Sequence, residues 1–172
     1  MSKTIVLIGM MGSGKTSVGK ELAKSLGIDF VDSDSEIEQK CKKTIREIFD
    51  LKGENYFRKI EEKICIKLIN GKSKVVSIGG GAFINKNIRK IIKSFGTSIW
   101  IHASIDTIHQ RLSKSKNKRP MLNYVSLKNS VKNIYDKRKG IYETADYTIR
   151  SKNDNKKVIV KKILEKYENT KS

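Results

Sequence analysis

Apolar residues come in two alternating kinds of run along this chain. Thr4 to Ile8 (TIVLI), Ile28 to Val31 (IDFV), Lys74 to Ile78 (KVVSI), Ser98 to His102 (SIWIH) and Asp146 to Arg150 (DYTIR) are short and rich in branched or aromatic side chains. Such runs predict β-strands, and the continuously apolar ones predict strands buried on both faces. Between them the apolar residues recur at helical spacing, as in Val18, Leu22 and Leu26, or Phe57, Ile60, Ile64 and Leu68. Helices are predicted over 17–26, 35–43, 44–51, onward from Glu54, and over 85–95, 104–112, 126–142 and 157–167, with Gly53 ending the one that carries Ile45, Ile48 and Phe49. Strands that alternate with helices predict a parallel sheet covered on both sides. At 172 residues the chain suits one α/β domain spanning 1–172.

The first strand runs into Gly9 to Thr16, GMMGSGKT, which fits G-x-x-x-x-G-K-[S/T] at every fixed position. Strand, loop and helix in that order is the context the motif requires, which a chance match in a glycine-containing turn would lack. Gly9, Gly12 and Gly14 allow conformations closed to other residues, so that backbone N–H groups ring an anion. The helix that follows adds its positive end. Lys15 brings a charge to the β- and γ-phosphates of a nucleotide, and Thr16 offers a hydroxyl to Mg²⁺.

Other candidates follow in chain order. Asp32 and Asp34 stand at the carboxyl end of the second strand, where open α/β sheets bind ligands. One suits a metal held through water and the other a proton taken from a substrate hydroxyl. Ser33 or Asp34 also suits an N-cap, and the two roles are compatible. Arg58 precedes Glu61 and Glu62 by three and four residues, which by itself describes an ordinary surface pair worth about 0.3–0.5 kcal/mol. Gly79, Gly80 and Gly81 follow the third strand, where either close approach of a ligand or a tight bend calls for them. Residues 113–123 (SKSKNKRPMLN) are basic and hold the only proline; a lid and a plain solvated loop both fit. His102 and His109 lack partners at metal-ligand spacing and read as structural.

Composition removes some classes. Lys plus Arg is 37 against 18 for Asp plus Glu, a formal +19, yet the excess is spread from end to end with no aromatic-interleaved stripe. A solvated surface is expected rather than a specific nucleic-acid site. The cations are 30 Lys and only 7 Arg, so an Arg marks a place where the planar fork has a use. Cys41 and Cys65 form no metal or disulfide pattern, and they read as thiols in a reducing cytoplasm. The first strand begins within a few residues of Met1, leaving no room for a signal peptide, and no apolar run approaches a membrane span.

Taken together, GMMGSGKT, Asp32-Ser33-Asp34, Phe57-Arg58 with Glu61, Gly79 to Gly81, Arg119-Pro120-Met121-Leu122, and Arg138 followed by Tyr142 resemble shikimate kinase over nearly the whole chain. The resemblance implies a P-loop kinase fold like that of nucleoside monophosphate kinases, a five-stranded parallel sheet in the order 2-3-1-4-5. It implies transfer of the ATP γ-phosphoryl group to the 3-hydroxyl of shikimate, on the way to chorismate and the aromatic amino acids; separately from the resemblance, a cytoplasmic monomer is expected. By the same resemblance Gly12, Ser13, Gly14, Lys15, Thr16 and Ser17 hold the nucleotide phosphates, Arg111 lies against adenine, and Thr16 and Asp32 serve Mg²⁺. Lys15, Asp34 and Arg119 are the expected catalytic groups, with Asp34 on the attacking hydroxyl and Arg119 brought down by the lid. Phe49, Phe57, Arg58, Gly79, Gly80, Gly81 and Arg138 are expected around shikimate. The match moves Arg58 from surface pair to site residue.

Two departures stand out. The family commonly reads R-x-P-L-Y after the arginine, whereas RKGIY stands here, and Gly140 is expected to loosen that helix end. The adenine-side stretch Lys152 to Lys156 lacks a recognisable Arg or Pro. Rival readings are a gluconate or nucleoside monophosphate kinase, and a nucleotide-dependent switch or nucleic-acid-associated ATPase. Asp50-Leu51-Lys52-Gly53 matches D-x-x-G, but no strand precedes it and no N-K-x-D follows.

Overall fold

The computed structural model describes residues 3–116, 118–151 and 154–168. Five strands, β1 (Thr4–Ile8), β2 (Phe30–Asp32), β3 (Val75–Ser77), β4 (Gly96–Ala103) and β5 (Tyr147–Ser151), form one sheet in the order β2-β3-β1-β4-β5. Every pairing is parallel, with Val6 opposite both Val76 and Ser98. All five residues of β1 are buried because both its faces are covered. Val6 and Ile8 join Val76, Ile78 and Trp100 in one core layer, and Ile5 and Leu7 join Val75, Ile99 and Ile101 in the other. Each such side chain contributes about 1.5–3 kcal/mol on burial.

The helices are α1 (Lys15–Leu26), α2 (Ser33–Cys41), α3 (Ile45–Ile69), α4 (Lys86–Phe95), α5 (Ile105–Ser113), α6 (Leu127–Tyr142) and α7 (Lys156–Glu168). Val18 and Leu22 of α1 pack with Ile159, Val160 and Ile163 of α7 on one face of the sheet. Cys65 and Ile69 of α3, Ile88 and Ile92 of α4, and Val131 and Tyr142 of α6 pack on the other. Gly19 lets α1 lie close to the sheet, since a Cβ there would come within 2.4 Å of the Phe30 ring. Ile37, Ile45, Ile48, Phe57 and Ile64 make a smaller core between α2 and α3.

Several boundaries differ from the sequence reading. α1 starts at Lys15 rather than Ser17, so the motif lysine is already in the first helical turn. α2 is capped by Asp32, whose carboxylate accepts from the Asp34 N–H at 3.0 Å, and not by Ser33 or Asp34. α3 runs on past Gly53, but Gly53 itself is at φ 77°, ψ 171°, so two helices meet there at a kink. α6 continues through Gly140 to Tyr142. Lys152 and Asn153 of the adenine-side stretch, and Asn117 of the basic segment, lie outside the described residues.

Candidate active site

β1 lies where the strand order turns, with β3 on one side and β4 on the other, so the loops after β1, β2 and β3 open onto one crevice. The cleft there has a volume of about 920 Å³ and is lined by every predicted site residue except Ser13. Ser13 is buried beneath the loop, and its Oγ has no hydrogen-bond partner.

The phosphate loop owes its shape to its glycines. Gly9, Gly12 and Gly14 take φ of 137°, 75° and 99°, a region closed to most side chains. Gly14 caps α1 without a side-chain bond, so the first N–H groups of that helix face the cleft unspent. Lys15 Nζ curls over the loop and donates to the carbonyls of Gly9 and Met10, both at 2.9 Å. Burial lowers its pKa from 10.5 to about 8 against the opposing pull of Asp34 and Asp32. Thr16 Oγ1 donates to Asp32 Oδ2 at 2.7 Å, which joins the first turn of α1 to the end of β2. Arg111, from α5, donates to the Gly12 carbonyl at 3.2 Å and so lies along the same loop.

The other end of the cleft is built from α2, α3, α6 and the glycines after β3. Burial, and then the nearby carboxylate of Asp32, lifts the pKa of Asp34 above the usual carboxylate range. Its Oδ2 lies 3.4 Å from Arg119 Nη1, and its Oδ1 is buried without a partner. Arg58 is not the surface pair its spacing alone suggested. Its Nη1 donates to Glu61 Oε2 at 2.7 Å, its Nη2 and Nε donate to Glu54, and Glu61 is only 2% exposed. Burial raises the pKa of Glu61, with Arg58 opposing it.

The three glycines answer to close approach and not to backbone strain, as none has positive φ. A Cβ on Gly79 would stand 2.7 Å from Glu61 Oε1 and 2.9 Å from Asp34 Oδ1, and one on Gly81 would stand 2.6 Å from the Arg58 guanidinium. Gly80 faces Arg138 Nη1 at 3.4 Å by the same measure. Arg138 is 7% exposed, and its Nη1 has no hydrogen-bond partner. One turn on, the Tyr142 hydroxyl donates to the Gly80 carbonyl and pins α6 to the glycine turn. Phe49 and Phe57 face each other at 4.7 Å between ring centres and form an apolar wall.

Three contributors were missed from the sequence. Glu61 had a signal, since it falls on the apolar stripe of α3 between Phe57 and Ile64, where a carboxylate needs a partner. Tyr142 ends the Arg138 pattern, and nothing local predicts its bond to Gly80. Met121 stood in the loop pattern, yet its Sδ accepts from Arg58 Nη2 at 3.3 Å and lies 3.8 Å from Arg138 Nη2.

The chain's relatives bear on this geometry. The family model described as shikimate kinase matches residues 11–168. A shikimate kinase of Rhizobium leguminosarum bv. trifolii is 39% identical over 163 residues, 95% of this chain and 83% of that protein. The solved structure of shikimate kinase from Acinetobacter baumannii in complex with shikimate superposes with a TM-score of 0.94 at 35% identity, covering 98% of this chain and 94% of that one. Shikimate kinase from Bacteroides thetaiotaomicron gives a TM-score of 0.89 at 27% identity, covering 97% and 99%. With the strand order, the phosphate loop and these matches agreeing over nearly its full length, this chain belongs to the shikimate kinase family.

Proposed function

We propose that this chain transfers the γ-phosphoryl group of ATP to the 3-hydroxyl of shikimate. The observation that carries the acceptor assignment is a pair of buried polar atoms without partners on two residues that line the cleft: the acceptor Asp34 Oδ1 and the donor Arg138 Nη1. Buried polar atoms without partners are costly, and a ligand bearing a hydroxyl and a carboxylate supplies what each lacks. Arg58, steadied by Glu54 and Glu61, stands ready as a second guanidinium. A carboxylate held by two guanidiniums is a strong and oriented contact. Phe49 and Phe57 suit the carbon face of a small ring.

At the other end the loop amides and Lys15 receive the β- and γ-phosphates, and Arg111 lies toward the base. Thr16 and Asp32 present hard oxygens beside the loop, a donor set that fits Mg²⁺. When bound, the ion neutralises charge on the phosphates. Asp34 then orients the 3-hydroxyl and takes its proton, and its raised pKa brings it closer to the operating pH. Arg119, carried on the lid 113–123, moves from Asp34 to the transferring group. The free thiols of Cys41 and Cys65 support a cytoplasmic setting, and the reading takes the protein as a monomer. No helix among the described residues is long and apolar enough to cross a membrane.

The test is product identity. Incubated with Mg-ATP and shikimate, the protein should yield a phosphate ester whose phosphorus couples to the proton on carbon 3. Coupling to another ring proton, or no ester at all, would contradict the placement of the hydroxyl at Asp34.

A further inference from the structure

The acceptor end of the cleft is already touched by the lid. Arg119 Nη1 lies on Asp34 Oδ2, and Met121 Sδ lies between Arg58 Nη2 and Arg138 Nη2 at 3.3 and 3.8 Å. The sulfur thus stands where the carboxylate of the acceptor is placed above. A thioether is a weak acceptor, and a carboxylate displaces it readily from charged donors.

We propose that Met121 is an oxidation site for peroxides, whose sulfoxide latches the lid over the acceptor pocket. One oxygen of the peroxide bonds to Sδ as its O–O bond breaks; the sulfur loses two electrons, and the peroxide is reduced to water, or to an alcohol from an organic peroxide. The product carries an S=O oxygen, a far better acceptor than sulfur, toward the same two guanidiniums. Arg58 does not swing away to avoid it, because Glu54 and Glu61 hold its other N–H groups. Met121 is half-exposed and lines the cleft, so a peroxide reaches it. Met10, by contrast, is 1% exposed beneath the loop. Met11, half-exposed in the same cleft, serves as the internal control.

The inference rests on the acceptor assignment only for the identity of the ligand that is shut out. The experiment treats the whole protein with hydrogen peroxide, then with dithiothreitol to return the thiols of Cys41 and Cys65, and measures oxidation at each methionine by peptide mass. With Met121 oxidised, the shikimate KM should rise about tenfold, equivalent to about 1.4 kcal/mol. The ATP KM should stay within about twofold, on the same scale. Trypsin should cut more slowly after Lys114, Lys116 and Lys118. Methionine sulfoxide reductase should restore both readouts, and Met121→Leu should show neither change, whereas Met11→Leu should show both. Failure of Met121 to oxidise, oxidation that alters neither KM nor cleavage, or the same response in Met121→Leu would overturn the latch. If the untreated protein does not turn over shikimate, the acceptor assignment fails instead, and the trypsin rates still decide the latch.

Discussion

Glu61 holds Arg58 through a buried ion pair, Oε2 to Nη1 at 2.7 Å, directly under the glycine turn that follows β3. The carboxylate is almost fully covered, while the guanidinium reaches the cleft. On the acceptor placement proposed above, Glu61 acts through Arg58. Glu61→Gln keeps the shape and one hydrogen bond but loses the charge. We expect the shikimate KM to rise about tenfold, about 1.4 kcal/mol, with a smaller change in kcat. Steady-state kinetics check this, and a loss confined to kcat would count against a positioning role.

Asp34→Asn should lower kcat by about 10²–10⁴, the usual worth of a positioned proton acceptor. The pH profile carries a second test. With Asp34 as the proposed proton acceptor, activity requires it ionised, so activity is present above the carboxyl pKa and lost as pH falls through it. Because burial and Asp32 raise that pKa, the acid limb of kcat/KM for shikimate should lie above the ordinary aspartate value. A limb at or below that value would show that another group sets it.

As the proposed phosphate-binding cation, Lys15 should set the alkaline limb. Its pKa of about 8 means that the free enzyme loses the phosphate-binding charge as pH rises through that region, so kcat/KM for ATP should fall there. Stability moves the other way. Between about 8 and the unfolded value of 10.5 the unfolded chain binds more protons than the native one, so this group adds stability as pH rises across that window. Comparing urea midpoints of the wild type and Lys15→Met at pH 7.5 and 10 isolates the contribution, and an equal difference at both would refute it.

Arg138→Lys should mainly raise the shikimate KM, since lysine keeps the charge and loses the fork. The buried Nη1 that lacks a partner is the atom at stake. An effect found only in the ATP KM would remove Arg138 from the acceptor site.

Gly140→Ala should stabilise the protein by about 0.5–1 kcal/mol, because Gly140 lies within α6 and a Cβ there meets nothing within 4 Å. Urea denaturation measures it. Gly53→Ala should instead destabilise by about 1–3 kcal/mol, as no side chain takes φ 77°, ψ 171° easily.

The strand and helix pattern was legible because β1 and β4 are apolar on both faces, and helical spacing marks α1 and α3 plainly. The phosphate loop was legible because its chemistry is local: one glycine-rich turn between a strand and a helix. Its companions are set by topology. That Asp34, Arg58, Gly80 and Arg138 meet in one cleft depends on four separate elements converging, and the family resemblance supplied what spacing did not. Spacing alone made Arg58 a surface pair, because sequence shows neighbours at three and four residues but not the glycine turn after β3 that packs on Glu61. The cap on α2 was misplaced by one or two residues, since Asp32, Ser33 and Asp34 are all good caps and only the strand end decides among them.

The central claim is that this cleft couples ATP to a small hydroxylated carboxylate. ADP release from Mg-ATP, measured on the purified protein with and without shikimate, tests it most directly. Release that depends on shikimate, and is lost in Asp34→Asn, is the predicted result. ATP turnover that shikimate does not change would contradict the acceptor assignment while leaving the phosphate loop in place.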